Sequence, residues 1–130
     1  MSLIKTPISV GELLDKITIL EIKSEKINDA SKLKNVNHEL GLLNEIWQQG
    51  DFEGQAMNEL RRQLKQVNQT LWVIEDDIRI MEKNQSFDDA FVQLARRVYF
   101  ENDTRAQVKK DINLLTGSEL IEEKSYQDYK

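Results

Sequence analysis

The chain has 130 residues, of which 39% are hydrophobic and 32% charged, with one proline, five glycines and a formal net charge of −5. That length fits one domain with a core of its own, and so few helix breakers favour few, long elements. An acidic balance without a basic stripe argues against a nucleic-acid partner, and the lack of cysteine excludes disulfides, thiolate chemistry and sulfur-ligated zinc or iron–sulfur sites. No apolar run approaches the roughly 20 residues that span a bilayer, and the N-terminus Met-Ser-Leu-Ile-Lys-Thr-Pro has no signal-peptide core. A soluble, cytoplasmic chain with no membrane partner is expected.

In chain order, residues 1–8 read as a short arm ending near Pro7. Ser9 and Glu12 form a Ser-x-x-Glu capping signal that opens helix one, expected over 10–27. Val10, Leu13, Leu14, Ile17, Leu20 and Ile27 share one face of it, while Ile19 and Ile22 fall almost opposite. Either this helix is sandwiched within the monomer, or its back makes a second contact. Asp29 is the expected N-cap of helix two, 30–49, with Leu33, Val36, Leu40, Leu43 and Trp47 in a three-four alternation, and Gly50 ends it.

Helix three, 55–83, carries an unbroken coiled-coil-like heptad seam: Met57, Leu60, Leu64, Val67, Leu71, Ile74, Ile78 and Met81. It is the rod against which the other helices are expected to pack. Asn84-Gln85 breaks the pattern, Ser86 with Asp89 gives a second capping signal, and helix four is expected over 87–116, ending at Gly117. The tail 118–130 is either a short docked helix or a partner-binding extension. Connections this short force antiparallel neighbours. The fold class is therefore all-α: a four-helix antiparallel bundle of two helical hairpins, helices three and four long, with an N-terminal arm and a C-terminal tail. Surplus apolar stripes must be covered, which favours a homodimer.

Helix four departs from this regularity. Its apolar sector holds Phe87, Phe91, Leu94, Val98, Val108, Ile112 and Leu115, yet Arg105 lies at its centre, Glu101 near it, and Asn102 and Lys109 at its shoulder. Glu21 intrudes likewise into the sector of helix one, and Asn68, Glu75 and Arg79 flank Trp72 along the edge of the rod. Folding helix four back about Asn84-Gln85 brings Glu101 level with Asn68 and Arg105 near Leu64. Unpaired buried charge costs several kcal/mol, so these groups need partners, water or a ligand. One reading is a structural Glu101–Arg105 pair completed by Glu21, which fixes register or oligomeric state. The other is a small anionic-ligand site in the bundle core, where Arg105, Lys109 and Arg79 hold a carboxylate or phosphate and Trp72 forms a wall. The candidate ligand-binding residues are thus Arg105, Glu101, Asn102, Lys109, Glu21, Asn68, Glu75 and Arg79.

No cofactor is expected, with Mg2+ entering only alongside a phosphate ligand. Glu75-Asp76-Asp77 offers at most two carboxylates to one ion, Glu75 and Asp76, because neighbouring helical residues diverge by about 100°. A solvated charge run is the simpler account. His38, the single histidine, points away from the apolar stripe and reads as a surface residue. No phosphate loop, nucleophile elbow or His/Asp relay is present, and catalytic residues remain unassigned.

Three groups of segments carry a family resemblance. The opening from Pro7 through Val10-Gly11-Glu12-Leu13-Leu14-Asp15-Lys16 to Lys23, the central Leu71-Trp72-Val73-Ile74-Glu75-Asp76-Asp77-Ile78-Arg79, and the closing Asn102-Asp103-Thr104-Arg105, Ile112-Asn113, Gly117-Ser118 and Glu122-Glu123-Lys124-Ser125-Tyr126 resemble a small bacterial and phage family of unknown function. The resemblance covers nearly the whole chain and implies an all-helical fold of similar length, with no activity to carry over. The helical nucleotide pyrophosphatases and chorismate mutases share the architecture only; Glu12-x-x-Asp15 has no partner pair in the required order. Two functions follow as expectations: a homo-oligomeric interaction or structural module, and a protein or enzyme that binds a small anionic metabolite such as a nucleotide, sugar phosphate or dicarboxylate.

Overall fold

The computed structural model describes residues 2–130, and Met1, the first residue of the expected arm, lies outside them. Four α-helices follow one another: α1 Val10–Lys26, α2 Ala30–Gln49, α3 Gln55–Lys83 and α4 Asp89–Thr116. The chain is an all-α four-helix bundle with α1–α2 and α3–α4 hairpins, an exposed N-terminal arm and a tail.

The caps explain where the helices begin and end. Ser9 Oγ accepts from the Glu12 N–H at 3.1 Å, and Asp29 accepts from the N–H groups of Ser31 and Lys32. Only half of the capping box at Ser9 forms, because the Glu12 carboxylate turns to Lys109 instead. Helix four starts two residues later than the sequence suggests. Gln85 adopts a left-handed conformation (φ 54°). The N–H of Ser86 then reaches back to the Met81 carbonyl at 2.9 Å and that of Gln85 to Glu82 at 3.1 Å, closing α3 in a Schellman motif. Ser86 is spent on ending α3, and Asp88 caps α4 by accepting from the Phe91 N–H. Phe87 consequently lies outside α4, half exposed, as is Leu115 at the other end.

The rod α3 is the longest helix, but α1 is the central one: it packs against α2, α3 and α4 alike. Leu13, Leu14 and Ile17 join Trp47, Met57, Leu64, Val67, Val108 and Ile112 in the main core. A second stripe on α1, Gly11, Asp15, Thr18 and Ile22, is buried as well. Its spacing of four, three and four lines up one helix face, and that face meets α3 and α4. The sandwiched alternative for α1 is therefore the one adopted. Ile22 is buried because this second side is covered by the same chain.

The α1–α4 crossing is close. Gly11 N–H donates to Asn113 Oδ1 at 2.7 Å, and a Cβ at Gly11 would collide with the Lys109 carbonyl. Glycine here serves approach of two backbones rather than an unusual dihedral angle. α2 contributes Trp47 as its one buried residue, with the indole N–H donating to Glu53 at 2.7 Å and the ring 4.8 Å from Phe52. His38 is exposed.

The tail forms no helix. Gly117 turns it with φ 64°, and Ser118 Oγ accepts from the Val10 N–H at 3.2 Å. The segment then runs back along α4: Glu122 reaches Lys109, Tyr129 packs on Tyr99 and Phe100 with centroids 5.3 and 5.5 Å apart, and the Tyr129 hydroxyl donates to Asp103.

Candidate functional site

Asp15 is the hub of the interior charges. Its side chain is 1% exposed and receives both edges of the network. Arg105 donates Nε–H to Oδ1 at 3.0 Å and an Nη2–H to Oδ2, a bidentate fork across the α1–α4 interface. Asn68 on α3 donates Nδ2–H to the same Oδ1 at 2.9 Å and to Thr18 Oγ1 at 3.1 Å. Arg105 Nη1 also donates to Asn102 Oδ1 at 3.4 Å. Three helices are pinned to one carboxylate, and the bond to Asp15 raises the Arg105 guanidinium above its ordinary range.

Lys109 extends the network by one turn. Its ammonium donates to Glu12 at 2.7 Å and Glu122 at 3.0 Å and lies 3.8 Å from Asp15. Burial alone pushes this ammonium down; the bonds to Glu12 and Glu122 outweigh it, so the net direction is up. The same bond holds the Glu122 carboxyl below the usual range.

The expected Glu101–Arg105–Glu21 pairing is not the one formed. Arg105 turns to Asp15, because a sealed carboxylate that meets two fork hydrogens repays its desolvation better than a half-exposed neighbour on the same helix. Glu21 instead faces Arg61 at 3.3 Å and Lys65 at 3.9 Å on the other side of α1. Glu101 is half-buried on α4, apart from the Asp15 network.

Beside the network opens a cleft of about 390 Å³ between α1, α3 and α4. Its lining brings together five of the eight residues singled out from the sequence: Arg105, Asn102, Asn68, Glu75 and Arg79. Glu101, Lys109 and Glu21 lie outside it. Trp72 forms one wall, with Leu71, Ile19 and Ile22. Glu75 and Arg79 pair with each other at 3.2 Å on the rim, beside Asp76. Among the described residues no cluster of three or more His, Asp or Glu side chains is placed to hold a metal ion.

Asp15, Thr18, Glu12 and Glu122 were not among the residues chosen from the sequence. The available signal was the four-three-four stripe Gly11–Asp15–Thr18–Ile22, which mixes a glycine, an acid and a hydroxyl with one apolar residue and so shows no hydrophobic periodicity.

The fold and the Asp15 network define a small all-helical bundle with a charged interior layer and a cleft at its side. No helix among the described residues is long and apolar enough to cross a membrane. The chain belongs to a family of unknown function (DUF6165), whose model matches residues 4–129 and so takes in the tail as well as the helices. No curated protein and no solved structure matches the chain.

Proposed function

We propose that this protein is a cytoplasmic helical interaction module that assembles as a homodimer. The observation that supports it is the uncovered part of the α3–α4 hairpin. No residue of α4 before Val108 is buried, while Val73 (53% exposed) and Ile80 (57% exposed), seven residues apart on one face of α3, are left to solvent together with Phe87 and Val92. Apolar residues stacked along one face are the usual material of a helix–helix interface. The interior charges fit the same reading, since Asp15 with Arg105 and Asn68, and Lys109 with Glu12 and Glu122, satisfy one another and fix how three helices meet. Sedimentation of the purified protein at micromolar concentration is expected to give a dimer. Ile80→Glu is expected to convert it to a folded monomer. A wild-type monomer throughout that range removes the proposal.

A second reading is favoured by the cleft: a small ligand with an anionic group held by Arg105. The convergence of Arg105, Asn102 and Asn68 on a space walled by Trp72 supports it. Its volume lies at the small end of ligand pockets, which span about 300–1,000 Å³. A thermal-shift screen of phosphates, nucleotides and dicarboxylates tests it, with an Arg105→Lys variant as the reference. Compounds that move both proteins equally do not use the guanidinium.

A further inference from the structure

We infer that the cleft between α1, α3 and α4 is a binding site for a small zwitterion, an ammonium and a single carboxylate joined by an apolar body. This rests on the ligand reading of the cleft and names the class of ligand. A guanidinium has five N–H groups. Arg105 spends two on Asp15 and one on Asn102, which leaves two for an incoming acceptor. Asn68 spends Nδ2 on Asp15 and Thr18. Asn68 Oδ1 accepts from no protein donor, and the Asn68 side chain lines the cleft.

The charge balance decides against a dianion. Asp15 cancels Arg105, and Glu75 cancels Arg79. Asp76 adds one carboxylate to the lining, so the five groups sum to one negative charge. A phosphate dianion placed at Arg105 would face Asp15 directly behind the guanidinium and gain little from a site with no positive excess. A single carboxylate accepting the two free N–H groups asks less, because one arginine bridges two carboxylates through its separate edges. The compensating cation then belongs at the rim, beside Asp76 and the Glu75–Arg79 pair, where the Asp76 carboxylate attracts an ammonium. Between the two ends, Trp72, Leu71 and Ile22 supply an apolar wall for the body of the molecule. Each end of the ligand is met by the group that complements it, and its total charge of zero suits a lining that is almost neutral.

Isothermal titration of the full chain with four probes tests this: 6-aminohexanoate, hexanoate, pentylamine and inorganic phosphate. 6-Aminohexanoate is expected to bind at least about tenfold more tightly than either singly charged analogue, and phosphate not to bind. Asp76 is exposed, so Asp76→Asn is expected to keep the melting temperature while bringing 6-aminohexanoate down to the level of hexanoate. Phosphate or hexanoate binding as tightly as 6-aminohexanoate overturns the zwitterion inference and leaves an anion site. No heat from any probe up to millimolar concentration overturns the cleft as a ligand site altogether. An Asp76→Asn variant that binds 6-aminohexanoate like wild type overturns the placement of the ammonium.

Discussion

The two halves of the α3–α4 hairpin are made of the same two helices, and they are held in different ways. Over its C-terminal part α4 buries Val108, Lys109, Ile112 and Asn113 against α1, with Leu64 and Val67 of α3 alongside in the main core. Over 89–107 it buries no residue, and Phe91, Leu94, Val98, Ala106 and a few polar side chains are only partly covered. The difference is a third helix. α1 has 17 residues against 29 and 28 in α3 and α4, about 25 Å against more than 40 Å. A two-helix hairpin offers each helix one neighbour, which closes a seam and leaves the flanks wet. Where α1 joins, even ionic side chains become interior ones. Burial in this protein is set by where α1 reaches, more than by which residues of α4 are apolar.

The sharpest way to break the pinned half is to remove its hub. Asp15→Ala strands Arg105 and leaves one Asn68 Nδ2–H short of an acceptor. Loss of one partner of a buried pair costs about 3–5 kcal/mol, and chemical denaturation is expected to show a loss of that size. Replacing Asp15 and Arg105 together by leucine and methionine removes the stranded charge, and the double variant is expected to recover most of the loss. If Asp15→Ala melts within 1 kcal/mol of wild type by the same measure, on the order of a surface change, the network does not hold the helices together.

Gly11→Ala acts on the same crossing through shape alone. The new methyl would meet the Lys109 carbonyl and come within 3.0 Å of Asn113 Oδ1. Since these belong to a backbone and a buried side chain, α1 must shift, at a cost of about 1–3 kcal/mol. Glycine is disfavoured inside helices by up to about 1 kcal/mol relative to alanine, so propensity alone predicts stabilisation. The sign of the measured change separates the two effects, and destabilisation is expected.

The fold was largely legible because it rests on periodicity and caps. The three-four seams of α2 and α3, and the caps Ser9, Asp29, Gly50 and Gly117, are local signals that survive without knowledge of neighbours. The start of α4 was misplaced because Ser86 had two possible jobs, and only the left-handed turn at Gln85 decides between them. The site was half legible. Arg105 stands out at the centre of an apolar sector, with Lys109 at its shoulder and Asn68 at the edge of the facing seam, but their partner does not. Asp15 sits on the side of α1 opposite the Leu13–Leu14–Ile17 face, and it is buried because α3 and α4 cover that side. Ile19 and Ile22 mark that side for a second contact, but an acid between a glycine and a hydroxyl carries no sign of which residues it meets there.

At the edge of the pinned half, pH sharpens the comparison. Glu122 and Lys109 are bonded to each other where the tail meets α4. The Glu122 carboxyl is held below its ordinary value of 4.5, so its contribution is present above that pH and is lost as pH falls through the folded value. The Lys109 ammonium is held above 10.5, so its contribution is full below that pH and is lost as pH rises through its higher folded value. Glu122 is 44% exposed, and solvent screening keeps its share under about 1 kcal/mol. Glu122→Gln is therefore expected to lower stability slightly at neutral pH, with the gap to wild type closing as pH falls below about 4. A gap that stays constant down to pH 2 assigns the loss to packing of the tail instead.

The smallest energetic effect is expected in the uncovered half, and it bears most directly on function. Val92→Ser removes apolar surface that is already 47% exposed, so denaturation of the monomeric Ile80→Glu background is expected to change by less than about 0.5 kcal/mol. Amide hydrogen exchange in that background is expected to run faster over 89–100 than over 105–113, because fewer buried contacts oppose local opening. In the wild type at dimer-forming concentration the contrast is expected to shrink, with protection gained over 89–100 and around Val73 and Ile80. Covering of those residues by a second copy is the one process that slows exchange there while leaving the Asp15 layer as it was. Equal exchange in dilute and concentrated wild type would place any self-association elsewhere on the molecule.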